Sequence, residues 1–343
     1  MKIKIGIVGA GNAGINIHGS ALTAGKIPTS KSRFPHRSQS YDVEGLYEIT
    51  GFYDISLERA KEAAKLFGTK AYDDYLKFLS SDVELVVIAT RPHSTHVSLS
   101  IQALEKGKDV VVEKPIAMTS SEAQGMIDAA KKYKRTLTVH QSSRWHLDFL
   151  CVKEILKKNL LGRVQMIKMI KPCGEKSGGV LHEFGSHRID QMLVLAGEFP
   201  YEVSAIMENP LAKDYSFGWF DISMRFKNAP PMEVGILPSE GYVFPCWYIK
   251  GEKGWWVQDW CDRTEDLFQK IQKKSRLGYD YLPEFLQVKP KTPSFYRNLY
   301  EVIREGKELM VRPEESRNGI RVMELAVESA KKKKTIKAGG INV

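Results

Sequence analysis

Cysteine is scarce: 343 residues contain four, Cys151, Cys173, Cys246 and Cys261, and no two form a C-x-x-C pair. A disulfide framework and a thiolate zinc site are thereby excluded as organising features, and reduced thiols in partly buried positions are expected. Long apolar runs are missing too. None approaches the roughly 18 residues that a membrane helix needs, and the first apolar segment, residues 2–8, runs into a glycine loop rather than a signal-peptide cleavage site. No membrane partner and a cytoplasmic location are expected. There is no internal repeat and no low-complexity segment.

Acidic residues are outnumbered, 41 Asp and Glu against 51 Lys and Arg, giving a formal charge of +10. That excess raises a nucleic-acid reading, and Lys331-Lys332-Lys333-Lys334 raises it further. The other basic residues are scattered, however, and the run closes an amphipathic helical segment, where cations meet the helix dipole favourably. A solvated helix end is expected, with no nucleic-acid partner; a general attraction for anionic ligands such as phosphates remains.

What is present is an ordinary globular composition, 43% hydrophobic and 27% charged, at a length that suits two domains. Residues 2–8 read as a buried strand that ends in Gly9-Ala10-Gly11-Asn12-Ala13-Gly14, and residues 12–24 continue as a helix. Strand, glycine turn and helix in that order form the dinucleotide fingerprint: the backbone approaches a pyrophosphate closely and the helix N-terminus faces its charge. An irregular Ser-, Pro- and basic-rich stretch, residues 25–42, reads as an inserted loop that delays the second strand. From residue 46 to 139, short apolar strands alternate with helical segments, which predicts a doubly wound parallel Rossmann sheet over residues 1–140. From residue 141 to 343 the pattern becomes α+β, with strands at 164–170, 202–207, 217–226, 232–237 and 242–249. Gly218, Phe220, Ile222, Met224 and Phe226 share one face at period two, as in a half-buried antiparallel strand. Lys250-Gly251-Glu252-Lys253-Gly254 reads as the turn between the last two strands of a large, mostly antiparallel open sheet. The fold class is α/β overall.

Several residues suit chemistry. Asp54, ending the second strand about forty residues after Gly14, is placed to accept a hydrogen bond from an adenosine ribose, which favours NAD; it equally suits the cap of the next helix, where Ser56 competes. Arg59, Arg33 and Arg37 keep NADP open. Thr90-Arg91-Pro92-His93 follows a buried strand at the sheet's carboxyl edge and is expected to flank the nicotinamide ribose. His96, one turn into the next helix, is either a packed histidine or a cofactor contact. Glu113-Lys114-Pro115 closes the apolar run 110–112, so Lys114 stands where open α/β folds bind ligands. An ammonium there can stabilise the charge that develops on a substrate oxygen during hydride transfer. A salt bridge to Glu113 is the plainer alternative.

The stretch Gly178-Gly179-Val180-Leu181-His182-Glu183-Phe184-Gly185-Ser186-His187-Arg188-Ile189-Asp190 runs into an apolar helix. Helical geometry from residue 183 places Glu183 and His187 on one face, with Asp190 a turn further. A carboxylate beside an imidazole raises its proton affinity, as general acid/base work requires, although such pairs are also ordinary helix-surface features. His182 and His187 are five apart, which does not match H-E-x-x-H, so no metal is expected.

Together, Gly9 to Gly14, Glu113-Lys114-Pro115-Ile116-Ala117-Met118-Thr119 and Gly179 through Asp190 resemble the glucose-fructose oxidoreductase, inositol dehydrogenase and rhizopine-catabolism protein family, Gfo/Idh/MocA. Residues 249–254, Ser294 to Leu299 and Arg312-Pro313-Glu314-Glu315 extend the resemblance over nearly the whole chain. It implies Lys114 and His187 as catalytic residues, with Glu183 assisting where many members carry aspartate. It also implies Gly9, Gly11, Asn12, Ala13, Gly14, Asp54, Thr90, Arg91, Pro92, His96, Glu113 and Lys114 at the cofactor, and Arg144, Trp145, His182 and His187 at the substrate. A sugar, polyol or sugar derivative is the implied substrate. Some members instead oxidise a glycoside transiently and eliminate its aglycone without net redox change, and a non-catalytic NAD-binding sensor is a third class. The aromatic content of the second domain, including Trp219, Trp247, Trp255, Trp256 and Trp260, predicts a sheet face used for homo-oligomer contact.

Overall fold

A computed structural model of the chain describes residues 1–26, 42–173, 180–209, 218–238, 245–259, 276–277 and 293–339. Arg33, Arg37, Gly178, Gly179, Trp260 and Cys261 lie outside the described residues. The chain divides into two compact units, residues 1–142 with 291–317, and residues 143–290 with 318–343. Residues 291–317 thus pack with the first unit, although the sequence reading assigned them to the second.

In the first unit β1 (Ile3–Val8), β2 (Tyr47–Tyr53), β3 (Lys70–Tyr72), β4 (Leu85–Ile88), β5 (Asp109–Val112) and β6 (Leu137–Val139) form one sheet in the order β3-β2-β1-β4-β5-β6. All neighbours pair in parallel. Strands covered on both faces need continuous apolar runs, and Leu85 to Ile88 and Val110 to Val112 are fully buried. The order reverses between β1 and β4, which is the topological switch point where such sheets bind ligands.

Helices α2 (Leu57–Phe67), α3 (Tyr75–Leu79), α4 (Thr95–Glu105) and α5 (Ser120–Tyr133) connect these strands. Their ends are written locally. Ser56 caps α2 by accepting from the Arg59 amide, and Gly68 closes it in the left-handed conformation. Thr119 and Glu122 form a reciprocal capping box at α5, so this helix starts at the end of the Glu113 to Met118 turn rather than sliding into it. Helix α8 (Phe295–Glu305) joins the same unit: its cap Ser294 bonds Asp42 at 2.6 Å, and Tyr47 Oη donates to the Tyr296 carbonyl at 2.7 Å.

The second unit carries an eight-stranded sheet in the order β13-β12-β11-β7-β10-β9-β8-β14. Its strands are β7 (Val164–Cys173), β8 (Glu202–Met207), β9 (Phe220–Arg225), β10 (Met232–Pro238), β11 (Pro245–Gly251), β12 (Gly254–Asp259), β13 (Arg276–Leu277) and β14 (Ile336–Lys337). Only the β7–β10 pair is parallel. Phe220, Ile222 and Met224 are fully buried on one face of β9, as period two requires. Helices α6 (Leu147–Lys157) and α7 (Ser186–Ala196) belong to this unit, and α9 (Pro313–Lys332) crosses the division between units.

Two expectations are corrected. The 251–254 turn does join β11 to β12, but these are not the last strands, because β13 and β14 extend the sheet at opposite ends. Among the described residues the tryptophans do not gather on an exposed face: Trp247 and Trp256 are completely buried, while Trp255 is 38% exposed. Strand alternation explains it, since 255 and 256 point to opposite faces. Cys151 and Cys246 are buried, and burial pushes both thiols up to about 12. No described helix is long and apolar enough to cross a membrane.

Candidate functional site

At the carboxyl end of β1 the chain makes the glycine turn and then a π-helical segment, Ala13–Gly19, which α1 (Ser20–Leu22) continues. Two of the three glycines are required by the chain itself. Gly9 has φ +99°, and a side chain there would meet the Ala89 carbonyl at 2.5 Å; a Cβ on Gly14 would lie 2.0 Å from the Gly9 carbonyl oxygen. Gly11 is different: a Cβ there would meet nothing within 4 Å. Its bare backbone keeps space outside the fold, which is the cradle a pyrophosphate needs. A dinucleotide therefore fits the turn, with Asn12 exposed and Ala13 opening the helix.

Asp54 follows β2 and is buried. Its Oδ2 accepts from the Ala10 amide at 2.9 Å, and its Oδ1 accepts from the Ser56 amide at 2.9 Å. The cap of α2 is Ser56, so of the two readings of Asp54 the capping one falls away. Instead the carboxylate ties the glycine turn to the end of β2. Arg59, half exposed, pairs with Asp54 Oδ1 at 3.1 Å, placing a cation beside the carboxylate.

After β4, the Thr90 hydroxyl shares a 2.7 Å hydrogen bond with that of Thr95, which donates to the Pro92 carbonyl at 2.8 Å. Arg91 and Pro92 are exposed. His96 is completely buried, with Nδ1 2.8 Å from the Pro115 carbonyl and Nε2 3.1 Å from that of Thr90. It packs inside the fold and braces two loops. Burial pulls its pKa down to about 4 against the two carbonyls, which favour the protonated ring.

Lys114 stands at the end of β5, on the same sheet edge as the glycine turn and two strands from it, about 10 Å in a sheet of this kind. Glu113 is not aimed at the Lys114 ammonium. Its Oε1 accepts from His140 Nδ1 at 2.8 Å and His18 Nε2 at 3.0 Å, while Oε2 accepts from the Lys114 amide at 3.2 Å. Tyr296 Oη completes the chain at His18 Nδ1, 2.6 Å away. Burial alone would push the Glu113 carboxyl up, but the hydrogen bonds from His140 and His18 outweigh it and hold the group well below the usual carboxylate range. Among the described residues, His18, Glu113 and His140 are the group whose donor atoms come close enough to hold a metal ion. Sequence reasoning passed over His18, His140 and Tyr296. Their signal was faint: one histidine a turn past Gly14, one just after a buried strand, and a tyrosine 278 positions from its partner.

In the second unit the expected helix starts earlier than residue 183. Val180 opens it, Leu181–Gly185 forms a π-turn, and α7 follows. His182 is buried and its carbonyl accepts from Ser186 Oγ at 2.6 Å; Glu183 and His187 are half-buried. Asp190, 1% exposed, holds Arg144 in a two-point ion pair through Nε at 2.7 Å and Nη2 at 2.6 Å. Two of Arg144's donor groups are thus engaged within the protein, and Trp145 beside it is buried. Arg188 donates to Gln191, which donates to the Ser143 carbonyl. Lys171 lies 3.5 Å above the Phe184 ring. The helix is thereby fastened to its unit at residues 184, 190 and 191, on either side of His187.

Comparison with known proteins identifies the family. Residues 3–141 match the model of an oxidoreductase family with an NAD-binding Rossmann fold, and residues 171–338 match that family's C-terminal alpha/beta domain. Scyllo-inositol 2-dehydrogenase (NADP(+)) IolW of Bacillus subtilis is 28% identical over 97% of this chain and 95% of its own. Glucose-6-phosphate 3-dehydrogenase of the same organism is 29% identical over 61% of this chain and 57% of its own. The crystal structure of an NAD-binding protein from Listeria innocua superposes with a TM-score of 0.77 at 26% identity, covering 98% of this chain and 97% of that one. The chain belongs to the Gfo/Idh/MocA family of oxidoreductases acting on CH–OH groups, and its first unit is an NAD(P)-binding Rossmann domain.

Proposed function

We propose that the protein is a dehydrogenase for a hydroxyl of a polyol or sugar derivative, with Lys114 and His187 as its catalytic residues. The observation that carries this reading is the placement of Lys114 on the sheet edge that also bears the bare Gly11 turn. A bound nicotinamide supplies a hydride acceptor. In this reading the Lys114 ammonium donates to the substrate oxygen and stabilises the charge that develops there, and the His187 imidazole takes the hydroxyl proton. Glu183, in the same helical segment, sustains the basicity of the imidazole. The carboxylate at Asp54 favours NAD(H), because a 2′-phosphate brought beside it is repelled. Arg59 at 3.1 Å from that carboxylate supports a second reading, acceptance of NADP(H), as in the relative named for NADP(+). The exposed apolar residues Ile206 and Trp255 support a homo-oligomer built on the second unit's sheet.

The test is a panel of scyllo-inositol, glucose 6-phosphate and an aryl glucoside, each with NAD+ or NADP+, following both reduced nicotinamide and aglycone release. Net reduction supports the dehydrogenase; aglycone without net reduction would move the reading to redox-neutral elimination. His187→Ala and Lys114→Ala should each lower turnover by about 10²–10⁴-fold. Wild-type turnover in His187→Ala would remove that residue from the reaction.

A further inference from the structure

Lys114 leaves the sheet at a turn whose backbone is held from both sides by buried histidines. On one side the Glu113 side chain folds back to accept from the Lys114 amide through Oε2 at 3.2 Å. Its other oxygen is fixed by His18 and His140 at 3.0 and 2.8 Å. On the other side, His96 Nδ1 reaches the Pro115 carbonyl at 2.8 Å. His18 and His96 are 0% exposed and His140 is 1% exposed. We infer that Glu113, clamped by His18 and His140 and backed by Tyr296, is a positioning residue that sets where the Lys114 side chain departs from the sheet. The inference rests on the catalytic role proposed for Lys114.

The proton inventory makes the clamp directional. Tyr296 has a hydroxyl 2.6 Å from His18 Nδ1 and can donate there, so His18 carries its proton on Nε2 and donates it to Glu113. His140 donates through Nδ1 to the same oxygen. An ionised carboxylate accepts all three bonds, from two imidazoles and one amide, and needs no further donor on those sites. A metal ion in the same place would need lone pairs where these two N–H groups point. The buried carboxylate would be costly if any of these bonds were only decorative, since an unpaired buried charge carries a large desolvation penalty. Tyr296 itself is anchored: its backbone carbonyl accepts from Tyr47 Oη at 2.7 Å, and its ring meets that of Tyr47 edge-on. The clamp therefore draws on the glycine-turn helix, the ends of β5 and β6, and α8, and it reaches the proposed chemistry through the Lys114 amide.

The experiment is ¹³C reductive methylation of the lysines followed by two-dimensional NMR, with the Lys114 signal identified by its loss in Lys114→Arg. Glu113→Gln keeps the shape but can turn an N–H donor toward the Lys114 amide; Tyr296→Phe removes only the far hydroxyl and guards against a variant that fails to fold. Both should shift or broaden the Lys114 signal while the other lysine signals stay in place. On the most active substrate of the panel, Glu113→Gln should lower kcat about ten- to a hundredfold, the scale of a misplaced catalytic group. In a Lys114→Ala background it should cause no further loss. An unmoved Lys114 signal in both variants overturns the inference, as do losses that multiply independently in the double variant, or a stoichiometric metal ion on the wild-type protein in native mass spectrometry. Wild-type turnover in Lys114→Ala refutes the lysine's catalytic role instead, and is read separately.

Discussion

Arg144→Ala tests the second unit most sharply, because the ion pair it breaks is nearly dry. Asp190 is 1% exposed and the Arg144 side chain 9% exposed, and two parallel bonds of 2.7 and 2.6 Å join them. Removing the guanidinium leaves a carboxylate in the interior of α7, and breaking a buried pair in this way costs about 3–5 kcal/mol. With a urea slope of about 2 kcal/mol per molar, the unfolding midpoint should fall by roughly 1.5–2.5 M. Intrinsic fluorescence is a clean probe, since all six tryptophans, Trp145, Trp219, Trp247, Trp255, Trp256 and Trp260, lie in the residues of the second unit. The double variant Arg144→Met, Asp190→Leu should recover most of the loss, because it removes both charges while keeping volume. A single variant within about 0.5 kcal/mol of wild type, the range of an ordinary surface change, would refute the buried pair. A double variant no better than the single would assign the cost to lost packing instead.

Three further outcomes follow from the first unit. Gly11→Ala should leave stability within about 0.5 kcal/mol, since a Cβ there meets nothing, yet weaken dinucleotide binding; Gly14→Ala, whose Cβ lies 2.0 Å from a carbonyl oxygen, should lose about 1–3 kcal/mol of stability as well, and calorimetry with thermal melts separates the two. Asp54→Ala should weaken NAD+ more than NADP+ while also loosening the glycine turn through the lost Ala10 bond, and Arg59→Ala should weaken NADP+ selectively; equal losses for both cofactors in both variants would leave Asp54 a purely structural residue. His96 is neutral down to about pH 4 in the folded chain, whereas an unfolded histidine takes up a proton near 6.5. The unfolded state therefore binds more protons between these values, so the stabilisation is complete above about pH 6.5 and is lost as pH falls toward 4, about 3 kcal/mol in all. An NMR titration of the His96 ring showing protonation at or above pH 6.5 would mean that its two carbonyl partners outweigh burial.

The first unit was legible because its signals are local. A buried parallel strand must be apolar along its whole length, and the apolar run 110–112 announced β5 to within a residue. Caps such as Ser56 and Thr119 are likewise written within four positions. The second sheet was read less fully. Its strands at 202–207 and 232–237 were visible from their residue pattern, and a further strand was implied by the turn glycines at 251 and 254, but the two-residue β13 and β14 are too short to carry a period, and their places in the order depend on partners far away in sequence. The count of tryptophans misled for a related reason: composition records how much aromatic surface exists, and only the phase of each strand decides which side it faces.

The candidate site separates along the same line. Gly9, Gly11, Gly14 and Lys114 are recognisable because backbone approach and a strand-end cation are properties of a few consecutive residues. The group that holds Glu113 is not, since His18, His140 and Tyr296 reach it from separations of 95 and 27 residues and, through His18, 278. A histidine near a glycine turn and a histidine after a strand each have an ordinary packing explanation in isolation. Their meaning appears only when the parallel sheet brings the ends of β1, β5 and β6 to one edge and α8 closes over them. The same edge then explains why Glu113, which adjoins a lysine in sequence, spends its charge on imidazoles: a carboxylate fixed by three donors can anchor the backbone of its neighbour, whereas one paired with the Lys114 ammonium would hold down the group that the proposed chemistry needs.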